Sequence, residues 1–558
     1  MSLSRFVFAG LVVVAAAAAP ASGQATTRVD VSSAGGQADR SAASLTISID
    51  GQIVAFDSYA TNLVTGDTNG VIDVFVHDRV TGVTERVSVD SAGNQSNGES
   101  TWPALSADGR YVAFMSYASN LVAGDTNGTS DVFVHDRVTG ATERVSVDAT
   151  GGQGDGGSRL AMLSADGSLV GFYSDATNLV VGDTNGVDDV FVHDRTTGIN
   201  ERISVDSSGA ESDGLSYCAA GGMSADGTRI AFVSRATNLV AGDTNGKQDI
   251  FLHDRTTGVT TRVSVDSAGN QADDDSDTPA LSGDGICVVF ESAATDLVTG
   301  DTNHFPDAFL HDMSTGSTER CSVDSSGAEV AGFTKTPAPS TDGRYVAFGS
   351  NAATLVPFDT NKDYDVFIRD RATGTTSLAS RNTEGVQGNG ASGPGWFSGD
   401  AQVLVFGSKA DNLVAGDTNG VGDVFVRENC RTDASWTNYG AGFPGTNGIP
   451  SLVAAGDPVL GATLSVDVGN SSGTFTFGLL VLGSQTTSLH SSLGGDLLVV
   501  PTLTSLIGLA PAGASLSQDL PLDGNLCGLI FDLQVLEADP GAAKGVSFTA
   551  GLEIVFGQ

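Results

Sequence analysis

Apolar and polar positions alternate along most of this chain in short runs, with turn residues between them. Residues 101–148 show the pattern: PALS, YVAFMS, DVFVHD and TERVSV are separated by stretches rich in Gly, Asp, Asn and Thr. Val, Phe, Tyr and Thr fill the runs, as a pleated, half-buried surface prefers, and no helical period competes. The pattern predicts four antiparallel strands. The turn before the second run is Asp108-Gly109, and Asp50, Asp166, Asp226, Asp284 and Asp342 are likewise followed by Gly; the last copy reads Asp400-Ala401. Asp-Gly between strands signals a hairpin, because Gly takes positive φ without penalty. A second turn, Thr139-Gly140 and its equivalents, precedes the fourth run.

The four-strand segment repeats. An Asp-Thr-Asn core begins at Asp67, Asp125, Asp183, Asp243, Asp301, Asp359 and Asp417, at spacings of 58, 58, 60, 58, 58 and 58 residues. A fixed period of this size marks a repeat architecture. Seven units of four strands describe an all-β, seven-bladed β-propeller over residues 24–430. Its ends argue for a closed ring rather than a solenoid. The seventh unit has no fourth run after VFVRENC, while Thr27-Arg28-Val29-Asp30-Val31 at the start of the chain matches Glu85–Val89, 58 residues on. An N-terminal strand that completes the last blade explains both ends and removes open sheet edges. The two extra residues of the 60-residue step fall between Arg202 and Asp226 and are expected in or beside a blade-to-blade connection.

The pattern S-x-DG-x-x-VAF-x-S-x-A-x-NLV-x-GDTNG-x-x-DVFV-x-DR resembles the WD40-like "PD40" repeats of the TolB-like β-propeller superfamily. The resemblance covers roughly residues 26–430 and implies the propeller fold and a habit of binding proteins or ligands. TolB-type propellers commonly have six units and a separate N-terminal domain, so a role in the Tol system is not implied.

Residues 1–23 read as a secretory signal peptide: Arg5, then a short apolar run, then small residues up to Gly23. The expected location is secreted, periplasmic or at the cell surface. No other stretch approaches the roughly 20 apolar residues of a membrane span. Residues 431–558 form a compositional unit of their own, poor in charge and rich in Gly, Leu, Val and Ser, with runs such as ATLSVDV, GTFTFGLLVLG and CGLIFDLQVLE. They predict a small β-sandwich-like domain. The five Cys, at 218, 287, 321, 430 and 527, do not make a disulfide scaffold or a zinc site; an odd number leaves at least one free, and a pairing of Cys430 with Cys527 stays open.

The formal net charge is −39, from 66 acidic and 27 basic residues. So acidic a chain repels nucleic acid and anionic lipid. Strand order puts the tight Asp-Gly and Thr-Gly turns on one face and the Asp-Thr-Asn loops and long polar connections on the other, here called the top. Loops on a rigid scaffold carry function, so the expected partner is a protein or polysaccharide bound at the top face.

The Asp-x-Asn-Gly-x-x-Asp pattern places oxygens at alternating positions, as a calcium loop does. Candidate ligands are Asp67, Asn69 and Asp73; Asp125, Asn127 and Asp131; Asp183, Asn185 and Asp189; Asp243, Asn245 and Asp249; and Asp417, Asn419 and Asp423. His304 and Lys362 replace the loop Gly in units five and six. The alternative is a structural Asx-turn. His77, His135, His193 and His253, each followed by Asp and Arg, end the third strands of separate blades and cannot converge on one substrate; a surface salt-bridge or turn role is expected. The unit-specific departures Cys218, Cys287, His304, Phe358 and Trp396 form no nucleophile–base or paired-acid set and read as drift among repeats. The function expected is therefore non-catalytic binding. An extracellular hydrolase or lyase is the alternative, and unit-specific acids at the top of the central channel would mark it.

Overall fold

The computed structural model describes residues 25–357, 359–428, 434–459, 462–520 and 530–557. The signal-peptide segment, Phe358, Cys430 and Cys527 lie outside the described residues. Two compact units divide at Arg427: Thr26–Arg427 forms one, and Glu428–Gln558 belongs to the other. All regular structure among the described residues is β.

The first unit holds seven four-stranded antiparallel sheets. Six follow chain order. In blade two, for example, Ser100–Leu105, Tyr111–Ser116, Asp131–Asp136 and Ala141–Arg144 lie side by side. The seventh pairs Ser392–Phe397, Val403–Ser408 and Asp423–Glu428 with the N-terminal strand Thr26–Arg28, in the register Thr27↔Val426. The strand missing from one end of the repeat is therefore supplied from the other.

The first strands are innermost, and each contacts the first strand of the next blade. Ala42–Ile47 touches both Ser100–Leu105 of blade two and Ser392–Phe397 of blade seven, which closes a β-propeller. Backbone bonds reinforce the ring at the Asp-Gly end. Ile49 N–H donates to Ala107 O, Ala107 to Ala165, Ala165 to Ala225, Ala225 to Gly283, Gly283 to Thr341, and Gly399 back to Ile49, at 2.7–3.0 Å.

Blades are buried on both faces, so their middle strands are apolar throughout rather than alternating. Phe of the VAF run and Phe of the DVF run pair across strands in every blade; Phe56–Phe75 and Phe406–Phe425 both have centroids 6.0 Å apart. These rings are fully buried and fill the spaces between neighbouring blades.

Two expectations need correcting. The fourth strands are shorter than the TERVSV run: blade one pairs only Thr84–Arg86, because Ser88 turns inward and gives its hydroxyl to Asp73 (2.6 Å). The two extra residues lie not in a connection but in the innermost strand of blade four, Ser216–Met223, eight residues long where its equivalents have six. At the Asp-Gly turns, Ala401 takes the positive φ (56°) that Gly takes in the other blades.

In the second unit, Ser435–Tyr439, Gly551–Val555, Ile530–Ala538, Thr476–Gly483 and Leu503–Leu509 are neighbours in one sheet; Leu452–Ala454, Thr463–Val468 and Ala514–Asp519 form another. Leu464, Val466 and Val468 of the second sheet share a core with Leu480, Leu533, Val535 and Leu552 of the first. That is a β-sandwich.

Candidate binding site at the channel mouth

The Asp-Thr-Asn loops carry a cation of their own. Arg86, from the fourth strand of blade one, places Nη1 3.3 Å from Asp67 and 3.4 Å from Asp73. The Asp73 carboxylate also accepts bonds from Ser88, Ser96 and the Asn69 amide nitrogen (2.6, 2.9 and 2.8 Å). The Asn69 carbonyl accepts the Val71 N–H, an Asx-turn.

Arg144, Arg202, Arg262 and Arg28 repeat this for the Asp pairs 125/131, 183/189, 243/249 and 417/423. In blade five Arg320 meets Asp301, Asp307 and Glu329. Blade six has Leu378 at the arginine position, and Gln387 bridges Asp359 and Asp365 instead (2.8 Å each). Calcium wants six to eight oxygens. Here the asparagine turns its N–H2 toward the aspartate and a guanidinium stands between the carboxylates, so arginine supplies the counter-charge; among the described residues, Asp183, Asp189 and Glu211, and Asp301, Asp307 and Glu329, are the acid groups close enough together to hold a cation. His304 and Lys362 keep the left-handed conformation of the Gly they replace (φ 58° and 62°).

The His-Asp-Arg triplets are structural, and their histidines are interior rather than superficial. His77 is buried with Nδ1 2.9 Å from Thr84 Oγ1, and burial lowers its pKa. Asp78 accepts the Val80 and Thr81 N–H groups of the following turn. Arg137 reaches Glu85 of the preceding blade (2.5 Å).

The repeats diverge elsewhere. Third strands are nearly constant, yet the second residues of the inner strands read Ala43, Thr101, Arg159, Tyr217, Asp277, Lys335 and Gly393. The third residues run Ser44, Trp102, Leu160, Cys218, Thr278, Thr336 and Pro394, and the facing second-strand position runs Asp57, Met115, Tyr173, Val233, Glu291, Gly349 and Gly407. Many of these residues line one cavity of about 440 Å³ at the top end of the channel, with walls from all seven blades.

Each inner strand is bulged just there, its register slipping between Thr101 and Ala104 in blade two and at equivalent places elsewhere. Trp102, Leu160, Thr278 and Thr336 take φ of 48–54°. Such a backbone costs on the order of 1–3 kcal/mol per residue and is held where the surroundings enforce it. Asp57 is part of that enforcement: its carboxylate accepts the N–H of Ser44 (2.9 Å) and of Trp102 in the next blade (3.1 Å). Burial raises the pKa of both Asp57 and Glu291, and the charge of Asp277 adds to the rise at Glu291. Asp277 accepts the Tyr217 hydroxyl (3.1 Å) and the Thr278 N–H (2.6 Å). Cys218 lines the cavity, but burial pushes its thiol far above the ordinary range, so it is no thiolate nucleophile.

Of the unit-specific departures, Cys218 and Trp396 belong to the cavity wall. The signal was present in the repeats, at the positions where otherwise similar units disagree.

No family model and no curated protein matches the sequence. Among solved structures the chain is similar to a putative TolB from Agrobacterium tumefaciens, with 17% identity, 62% of this chain and 93% of that one covered, and a TM-score of 0.33. It is similar to the RRP9 WD40 repeats (11%, 73% and 99%, 0.38) and to a GH74 xyloglucanase from Xanthomonas campestris (9%, 95% and 81%, 0.37).

Proposed function

We propose that this chain is an exported, non-catalytic binding propeller that takes its protein or polysaccharide ligand at the channel mouth. One observation carries the proposal: an otherwise regular repeat diverges, and is strained, at the residues that line the 440 Å³ cavity. Ligand sites are concave, largely apolar and furnished with a few convergent polar groups. Export rests on the signal-peptide reading; no helix of the described residues is long and apolar enough to cross a membrane.

The test is an array of oligosaccharides and peptides probed with the full chain and with Trp102→Ala/Tyr217→Ala. Signals lost in the variant support the mouth; signals equal in both proteins place the ligand elsewhere.

A hydrolase is the second reading. Asp277 and Glu291 are register partners on neighbouring strands, and both are unit-specific. Against it, Asp277, Glu291 and Asp57 all accept backbone N–H groups of the bulges, which gives them a structural task. Product released from an array ligand by the wild type, and not by Glu291→Gln, would favour catalysis.

A further inference from the structure

Two departures from the repeat meet in the channel. Trp396 stands in the inner strand of blade seven, and the two extra residues lengthen the inner strand of blade four. The extra length carries Gly221, at φ 82°, to the indole of Trp396: a methyl group added to Gly221 would fall 2.4 Å from Cη2 and 2.5 Å from Cζ3. Only glycine fits there, because both the backbone angle and the ring exclude a side chain.

Trp396 borders the 440 Å³ cavity above and a separate 150 Å³ cavity below. Beneath both lies the hydrogen-bonded ring through Ala107, Ala165, Ala225 and Gly283. The contact of Gly221 with Trp396 runs from blade four to blade seven between the two cavities, and so narrows the channel beneath the upper one.

The walls indicate what enters. Trp102 of blade two is exposed at the mouth, and the Tyr173 and Tyr217 rings of blades three and four lie 6.2 Å apart, centroid to centroid. These aromatics belong to three consecutive blades, two to four, and the Asp277 side chain and the hydroxyl residues Thr336 and Ser44 come from blades five, six and one on the rest of the wall. An aromatic wall on one side of the mouth, with hydroxyls and a carboxylate on the other, complements a pyranose ring, which has C–H faces and a hydroxylated edge. An anionic group is unwelcome. Arg159, the nearby guanidinium, is paired with Asp175 and Asp188 (3.4 and 3.1 Å), and the chain as a whole carries −39. The cavity volume suits roughly one or two sugar rings, at the small end of ligand sites.

We infer that the mouth is an end-on saccharide site, which takes the terminal unit of a neutral polysaccharide, with Trp102 and Tyr217 as stacking walls, Asp277 as hydroxyl acceptor and Trp396 at the narrowing beneath. This rests on the channel-mouth reading and goes beyond it in ligand class and direction of entry.

The test is calorimetric titration of the full chain with neutral gluco-, manno-, xylo- and N-acetylglucosamine oligosaccharides of about one to six units, cyclic glucans serving as end-free probes. Expected is binding in one linear series, with affinity levelling after about two or three units, no binding of cyclic probes, and a loss above about tenfold in Trp102→Ala. Tyr217→Phe, which keeps the ring and removes the hydroxyl that Asp277 accepts, should weaken binding less. Cyclic probes binding as well as linear ones, or affinity that climbs with every added unit, would overturn end-on entry. If only peptides bind, and Trp102→Ala abolishes that binding, the mouth stands and the saccharide assignment falls. If a bound probe is indifferent to Trp102→Ala, the mouth itself falls.

Discussion

Replacing Asp30 by Ser should stabilise the propeller near neutral pH. In six blades a serine just past the fourth strand gives its hydroxyl to the aspartate that opens the third strand: Ser88, Ser146, Ser204, Ser264, Ser322 and Ser380, at 2.5–2.6 Å. In blade seven that position is Asp30. It is fully buried beside the Asp423 carboxylate, and only backbone N–H groups, that of Val424 among them, favour its charged form. Asp423 itself is held by Arg28 and Asn419, and Arg28 also binds Asp417. Burial above all, and then the charge of Asp423, raises the pKa of Asp30 well above the carboxylate range. Asp30 can stand in for serine only while it carries a proton to donate.

The sign follows from counting protons. Below about pH 4 both folded and unfolded chains hold the proton and nothing is lost. Between the unfolded value of about 3.9 and the raised folded one, only the folded state keeps it, so stability falls by about 1.4 kcal/mol per pH unit. Above the folded value the loss is complete. A buried, uncompensated carboxylate costs several kcal/mol, so Asp30→Ser should gain about 2–4 kcal/mol at pH 8 and stay within about 1 kcal/mol of wild type at pH 4. Asp30→Asn, neutral and close in shape, should behave alike. The assay is guanidinium unfolding from pH 4 to 8, followed by tryptophan fluorescence. Other carboxylates also shift with pH, but they are common to both proteins, and the difference between variant and wild type isolates Asp30. Equal midpoints at pH 8, or a difference that does not shrink toward pH 4, would refute the reasoning.

The Arg86 cluster is largely shielded from water, so Arg86→Leu should cost about 3–5 kcal/mol by leaving the Asp67 and Asp73 carboxylates without their cation; chemical denaturation measures it, and a loss below about 1 kcal/mol would show that the ion pair matters little. Calcium should raise the melting temperature no more than sodium chloride of matched ionic strength; saturable heat on calcium titration, reduced in Asp67→Ala, would restore the metal reading. Deleting residues 25–33 removes the strand that completes blade seven and should expose edges that aggregate; a truncated chain that melts and elutes like the full one would contradict closure by that strand. Cys218 and Cys321 are buried with thiols pushed far up by burial, so both should resist a thiol reagent until the protein unfolds; rapid native labelling of either would count against the packing described.

The fold was legible because every unit states it again. One Asp-Gly pair is a weak signal, but the same pair at a constant offset from DVFV in unit after unit leaves little freedom, and Thr27–Val31 could be matched to its place in the ring by arithmetic alone. The same averaging hid the site. A consensus keeps what the units share, which here is blade packing and an arginine bound by two aspartates. The arginine lies 19 residues after the first aspartate (Asp67 and Arg86), outside the loop that holds the Asp-x-Asn-Gly-x-x-Asp pattern. The mouth, by contrast, is built from what the units do not share. Trp102, Tyr217, Asp277 and Trp396 occupy different blades and meet only because the ring brings seven inner strands around one axis. No local motif can announce such a site. What the sequence does hold is the variance at each repeat position, low where blades pack and high where inner strands begin. The blade-four insertion belongs to the same record. Two residues added to an inner strand of a tight ring must displace something toward the axis, and against them the chain places Trp396. Seen this way, a departure from a repeat is evidence about the axis before it is evidence of drift.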